Sequence, residues 1–312
     1  MSANDLSMLL VVLIWGANFS IIKRAIQDFP PLAFTGLRFA LGTALLLLIL
    51  RAREGWVRLP SRIWWHLLWL GLVGNTLYQA LFVYGLKLTT AANGSLLVAT
   101  SPVMVPLLGA LFKIERVTRQ VALGIALAFA GMFVVIAARG VSVSRATLVG
   151  DLLMLASALC WSVYTLGVRS LGAHVSTLRL TALTLLTGTP GLLILGAPQI
   201  ANLNWNALGW QAWAGFAYAV LLGLVVAYAL WNLSVRRVGG NRTVIFSCAV
   251  PLVAALVAWP VLGERPQSYH AVGAALIIGG VLLARRKGAS PREAAPAHSS
   301  SAPAEVEAHV TG

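Results

Sequence analysis

The chain has 312 residues, 59% of them hydrophobic and 10% charged, with a mean hydropathy of +0.83 and a formal net charge of +14. A soluble domain carries about a quarter charged residues to solvate its surface. A chain this apolar lacks a water-compatible exterior, which excludes an ordinary soluble enzyme and makes lipid its solvent. Its Lys and Arg residues lie in short clusters between apolar runs, which argues for membrane orientation and against a nucleic-acid partner.

Roughly twenty apolar residues cross a bilayer. Apolar stretches are expected at 6–22, 34–50, 66–86, 92–112, 120–138, 148–166, 178–197, 211–231, 243–262 and 269–284. Met1 to Ser7 lacks the basic start of a cleaved signal, so the first stretch is expected to be retained. Cys160 and Cys248 both lie within apolar stretches and read as small core residues, not as a disulfide. Trp56, Trp64, Trp65 and Trp69, then Trp205, Trp210 and Trp213, gather at expected interfaces, where indole rings anchor. Residues 288–312 are mostly Ala, Ser, Pro and Glu, and are expected to form a disordered cytoplasmic tail.

The stretches repeat. An offset of 149 maps Gly74 to Gly223, Lys87 to Arg236, Pro102 to Pro251, Glu115-Arg116 to Glu264-Arg265, Gly124 to Gly273 and Gly131 to Gly280. An offset of 146 maps Trp15 to Trp161 and Lys23 to Arg169. Each unit, 6–138 and 148–284, holds five helices, and an odd number forces the copies to cross in opposite senses. The expected fold is therefore an all-α membrane protein of ten transmembrane helices in two inverted five-helix repeats, an architecture of secondary transporters. With both termini cytoplasmic, fifteen basic residues fall inside and six outside, Arg38 and Arg179 being left aside.

Trp15-Gly16-Ala17-Asn18-Phe19, Leu37-Arg38-Phe39 and the run from Pro102 to Glu115-Arg116, echoed from Pro251 to Glu264-Arg265, resemble the EamA family of the drug/metabolite transporter superfamily. The resemblance spans both units, although the second opens with Cys160-Trp161-Ser162-Val163-Tyr164 in place of Trp-Gly-Ala-Asn. It implies a ten-helix carrier of the plasma (inner) membrane that commonly exports amino acids or other small metabolites. Substrate identity does not transfer with it.

Several residues carry a site reading. Asn75, Tyr78, Gln79 and Phe82 fall on one helical face, and the repeat sets Leu224, Ala227, Tyr228 and Trp231 opposite, with Asn232 adjoining. Trp15 with Asn18, and Trp161 with Tyr164, repeat this polar-aromatic arrangement. Together they suggest a central substrate cavity, against the alternative that the amides only bond helix to helix. Arg38 near the outer mouth either anchors a substrate anion or snorkels to the interface, since a mid-helix charge costs roughly 2.5–3.5 kcal/mol. Pro102 and Pro251 fall near the middles of their stretches, as gating hinges or static kinks. Glu115, Glu264 and Asp151 read as helix-end carboxylates, Glu115 and Glu264 capping or pairing with the neighbouring Arg in preference to serving as proton sites, and Asp151 in the first turn of its helix.

No Gly-x-x-x-x-Gly-Lys-Ser/Thr run and no His-Glu-x-x-His occur. Neither a cofactor nor a metal is expected, and an intramembrane lipid-modifying or proteolytic enzyme lacks its parts. The expected partners are a small-molecule metabolite and the lipid bilayer, with the oligomeric state, a homodimer included, left open. The reading is an alternating-access exporter of a small neutral, zwitterionic or anionic metabolite such as an amino acid. A facilitator or importer is the alternative.

Overall fold

The computed structural model describes residues 3–101, 103–105, 108, 119–137, 145–171, 175–238, 243 and 246–285. Pro102, Glu115 and the 288–312 tail lie outside them. The helices are α1 (Ala3–Asp28), α2 (Pro31–Arg53), α3 (Ser61–Leu88), α4 (Ala91–Val98), α5 (Arg119–Ala137), α6 (Arg145–Leu171), α7 (Thr177–Ala201), α8 (Trp210–Arg237), α9 (Val250–Leu262) and α10 (Ser268–Arg285). There is no strand among the described residues. Within α1, α2, α3, α6, α7 and α8 lie segments long and apolar enough to cross a membrane, while α4, α5, α9 and α10 hold shorter apolar runs. The chain is a multi-pass, all-helical membrane protein.

Lipid offers no partner to a backbone amide, so each segment must close its hydrogen bonds internally, and a helix does so. Large apolar side chains such as Leu48, Phe133, Ile194 and Leu252 stay more than 60% exposed and form the lipid-facing shell. Side-chain caps start α4, where Asn93 N donates to Thr90 Oγ1 at 3.1 Å, and α7, where Arg179 N donates to Ser176 Oγ at 3.1 Å. Gly263, with φ at +70°, ends α9 in the left-handed conformation that glycine adopts without a Cβ penalty.

Small residues set which helices meet, because without a hydrophobic force between helices close packing must supply the attraction. A Cβ on Gly280 of α10 would lie 2.5 Å from Gly124 O of α5, and one on Gly131 would lie 2.9 Å from Gly273 O. Gly188 of α7 likewise abuts Gly71 O, where a Cβ would come within 2.5 Å. Thr43 of α2 and Thr189 of α7 share a hydroxyl hydrogen bond of 2.8 Å.

Two irregularities recur. The helices α3 and α8 each contain a π-helical stretch, Leu72–Leu77 and Ala219–Val226, whose last residues are 149 apart. Turns at Ala99-Thr100 and Cys248-Ala249, at the same separation, break the fourth and ninth stretches, which were expected to run unbroken. Pro251 therefore sits in the first turn of α9 and not mid-helix. A proline is tolerated there because a first-turn N–H has no intrahelical acceptor to lose.

Polar ties gather at the two ends. Beyond α3, Lys23 Nζ lies 3.4 Å from Glu264 Oε1 and donates to Thr89 O, while Thr89 Oγ1 donates to Asp151 Oδ1 at 2.5 Å. Glu264 Oε2 accepts from Ala91 N at 2.9 Å. Glu264 thus serves the N-terminus of α4 and pairs with Lys23, instead of serving its own neighbour Arg265, because the fold brings the α9–α10 connection over α4. Asp151 is buried in the second turn of α6, since that helix starts at Arg145. At the opposite end Arg179 Nη2 lies 3.4 Å from Glu54 Oε2 and donates to Gly55 O at 3.2 Å.

Candidate functional site

A cavity of about 70 Å³ lies among α1, α2, α3, α4, α6, α8 and the segment leading into α9. At about 10–15 Å³ of such space per water, it admits roughly five waters or one small solute. Its walls include Trp15, Asn18, Arg38, Tyr78, Gln79, Trp161, Tyr228 and Trp231. The aromatic rings form one cluster. Trp15 packs on Trp161 at 5.6 Å, Tyr228 at 6.0 Å and Trp231 at 5.1 Å between centroids, and Tyr78 packs on Trp161 at 5.2 Å. Offset and edge-on pairs of this kind are attractive and hold the walls in place.

Asn75, Tyr164 and Asn232 stand behind these walls and do not line the cavity. Asn75 Nδ2 donates to Thr184 O at 2.8 Å, and Asn232 Nδ2 donates to Thr181 Oγ1 at 2.7 Å and to Tyr164 OH at 3.4 Å. The Tyr164 ring stacks under Trp161, with centroids 5.2 Å apart. Asn75 leaves the face of Tyr78 and Gln79 because it lies inside the π stretch of α3. The extra residue in a π turn shifts the helical phase, so a spacing rule written for 3.6 residues per turn misassigns it.

Arg38 is 3% exposed and does not snorkel. Its Nη2 donates to Gln79 Oε1, and its guanidinium carbon lies 5.6 Å from the Phe34 ring centroid and 5.4 Å from that of Phe39. Arg38 Nε has no hydrogen-bond partner, and no described carboxylate forms a salt bridge with Arg38. Two further wall atoms lack partners, Asn18 Oδ1 and Trp231 Nε1. Each buried polar atom left so costs about 1–3 kcal/mol, and more when charged. The wall of one cavity thus brings together a cation, an indole N–H and an amide oxygen, each with an unpartnered atom buried within the wall.

Phe82, read on the face of Tyr78 and Gln79, lines the cavity too, and so do Phe19, Ser95, Val98, Ala99, Ser101, Val105, Thr165, Ser247 and Val250, which the site reading from sequence does not include. Most belong to α4, to the segment that follows it and to the start of α9 with the residues just before it, where small and apolar residues give no polar-aromatic pattern. Thr165, one turn after Trp161, places a hydroxyl beside an aromatic ring as the other wall positions do. Helix α8 reaches the site through its π stretch, where Gly223 O accepts from Trp15 Nε1 at 3.1 Å.

The family model described as "EamA-like transporter family" matches this chain twice, over residues 3–137 and 148–286. An uncharacterized transporter of Archaeoglobus fulgidus is 31% identical, over 92% of this chain and 98% of its own. The uncharacterized transporter YyaM of Bacillus subtilis is 27% identical, over 86% of this chain and 89% of its own. A Streptantibioticus cattleyicolor protein named "Probable terminal-alkyne amino-acid exporter" is 30% identical, over 90% of this chain and 93% of its own. A solved crystal structure aligns with 91% of this chain and 98% of its own at a TM-score of 0.65 and 25% identity. With two family matches spanning nearly all the helical residues, the chain belongs to the EamA-like transporter family.

Proposed function

We propose that the chain is a secondary carrier exporting a small carboxylate-bearing metabolite, an amino acid first among them, by alternating access across the plasma (inner) membrane. The observation that carries this reading is Arg38, a buried cation in the cavity wall with one nitrogen unpartnered and no described carboxylate paired with it. An unpaired buried charge costs several kcal/mol, so a cargo anion gains what the empty site lacks. Asn18 Oδ1 and the rings of Trp15, Trp161 and Trp231 suit an ammonium beside that anion. The relative named as an amino-acid exporter supports the same class.

Alternating access draws on an inverted pair of five-helix repeats, at 6–138 and 148–284, with both termini cytoplasmic. Support comes from the two family matches, the matched π stretches and the matched turns. Residues at equivalent positions also touch one another: Trp15 with Trp161, Thr43 with Thr189, and Gln79 with Tyr228. Contacts between equivalent residues are what a two-fold axis running between the halves produces.

The test is efflux from proteoliposomes loaded with single L-amino acids, each beside its C-terminal amide. Faster efflux of acids than of amides supports the reading, and equal or reversed rates overturn it. Faster concentrative uptake than efflux under the same gradient would make the carrier an importer.

A further inference from the structure

Gln79 holds two partners at once. Its Oε1 accepts from Arg38 Nη2, and its Nε2 donates to Tyr228 OH at 3.2 Å. All three side chains are buried and line the cavity. An amide oxygen offers a guanidinium much the same acceptor as one carboxylate oxygen, without the charge. Gln79 thus occupies part of the donor fork that a cargo carboxylate needs. The Arg38–Gln79 bond has one ionised partner, whereas a carboxylate adds the opposite charge and can accept two guanidinium N–H groups in parallel, so a carboxylate outcompetes this amide while an uncharged cargo acceptor meets it on equal terms.

The second partner connects this exchange to the other half. Tyr228 lies 149 residues after Gln79, at the matching position on α8. Gln79 follows the π stretch Leu72–Leu77 by two residues, and Tyr228 follows Ala219–Val226 by two. Inserted π turns are frequent at functional sites and are places where a helix can kink. A change at Gln79 therefore reaches both helices at their least regular points.

We propose that Gln79 is a built-in surrogate for the cargo carboxylate. It holds Arg38 when the cavity is empty, yields it to an incoming carboxylate, and relays that release through Tyr228 to the second half. Gln79 is then a specificity-determining and positioning residue, selecting against neutral cargo and coupling occupancy to reorientation. The inference rests on the carboxylate reading above.

The test uses the purified full chain in nanodiscs, with binding read from tryptophan fluorescence, since Trp15, Trp161 and Trp231 line the cavity. The probes are L-leucine, L-phenylalanine and L-serine, each beside its C-terminal amide. KM and maximal rate come from the same chain in proteoliposomes. Gln79→Leu removes the surrogate and should tighten binding of the acid about threefold to tenfold while lowering the maximal rate about tenfold, on the scale of one hydrogen bond. Gln79→Glu fixes a carboxylate on Arg38 and should weaken the acid by more than about tenfold but the amide far less. Tyr228→Phe keeps the Arg38–Gln79 bond and should shift the maximal rate more than KM.

A purely structural Gln79 would not lower KM as the rate falls. If Gln79→Leu weakens the acid, or Gln79→Glu weakens acid and amide alike, the surrogate role is wrong. A wild-type preference for the amide would overturn the carboxylate reading and this inference together. Wild-type behaviour thus tells the two failures apart.

Discussion

Trp15 and Trp161, 146 residues apart in sequence, meet edge to face with ring centroids 5.6 Å apart at the centre of the cavity wall. Each comes from the corresponding helix of its unit, α1 and α6, and each touches Tyr228 and Trp231 of α8 as well. Such a contact ties the two family-matched segments together at one point.

Arg38→Gln should reduce transport of carboxylate-bearing cargo about tenfold to a hundredfold and that of the matching amides by less than about threefold. The ratio follows from losing a charge-assisted partner while keeping a neutral donor of similar reach. Efflux of paired acids and amides from proteoliposomes measures it.

Asn232→Leu should act on stability and not on cargo affinity. Its amide bonds Thr181 Oγ1 and Tyr164 OH behind the cavity wall, and the residue is fully buried. Interhelical bonds of this kind in membranes are worth about 0.6–2 kcal/mol. Thermal unfolding in detergent should shift down by a few degrees, with KM within about twofold of wild type.

Adjacent glycines on α10 should answer unequally to the same change. A Cβ on Gly280 would lie 2.5 Å from Gly124 O and 2.7 Å from Ala128 N, whereas one on Gly279 would meet only Leu127 Cδ2 at 3.6 Å. Gly280→Val should destabilise the α5–α10 pair by about 1–3 kcal/mol through overpacking. Gly279→Val should be nearly neutral, and unfolding midpoints of the two variants make the comparison.

At the Lys23 end, Glu264→Gln should cost less than Glu264→Ala. The amide oxygen still accepts from Ala91 N and loses only the 3.4 Å pair with Lys23, whose side chain is 18% exposed. A partly exposed pair contributes about 0.2–1 kcal/mol. Losing the acceptor for a helix N-terminus adds roughly another 1 kcal/mol. Chemical denaturation of both variants checks the order.

For topology, Asn206→Cys should react with a membrane-impermeant maleimide in intact cells, and Ser61→Cys should react only after lysis. Both positions are exposed and lie at opposite ends of the helices, while the native Cys160 and Cys248 are buried. Labelling of Ser61→Cys alone from outside would reverse the orientation inferred from the basic residues.

Composition by itself determined the solvent: a chain with 10% charged residues must cover itself in lipid, and lipid then dictates helices. Periodicity and the internal offsets also made Trp15, Tyr78, Gln79, Trp161, Tyr228 and Trp231 legible as wall residues, because aromatic and amide groups stand out on otherwise apolar faces. Tertiary structure alone decided the rest. The π stretch turned Asn75 toward α7, the turn at Cys248-Ala249 moved Pro251 to a helix start, and the α9–α10 connection carried Glu264 to α4. None of these follows from a rule written for regular helices, since each depends on an inserted residue or on a neighbour far away in sequence. Arg38 is the sharpest case. Its sequence position allowed either an anchor or a snorkelling cation, and the packing of Phe34, Phe39 and Gln79 around it chose burial.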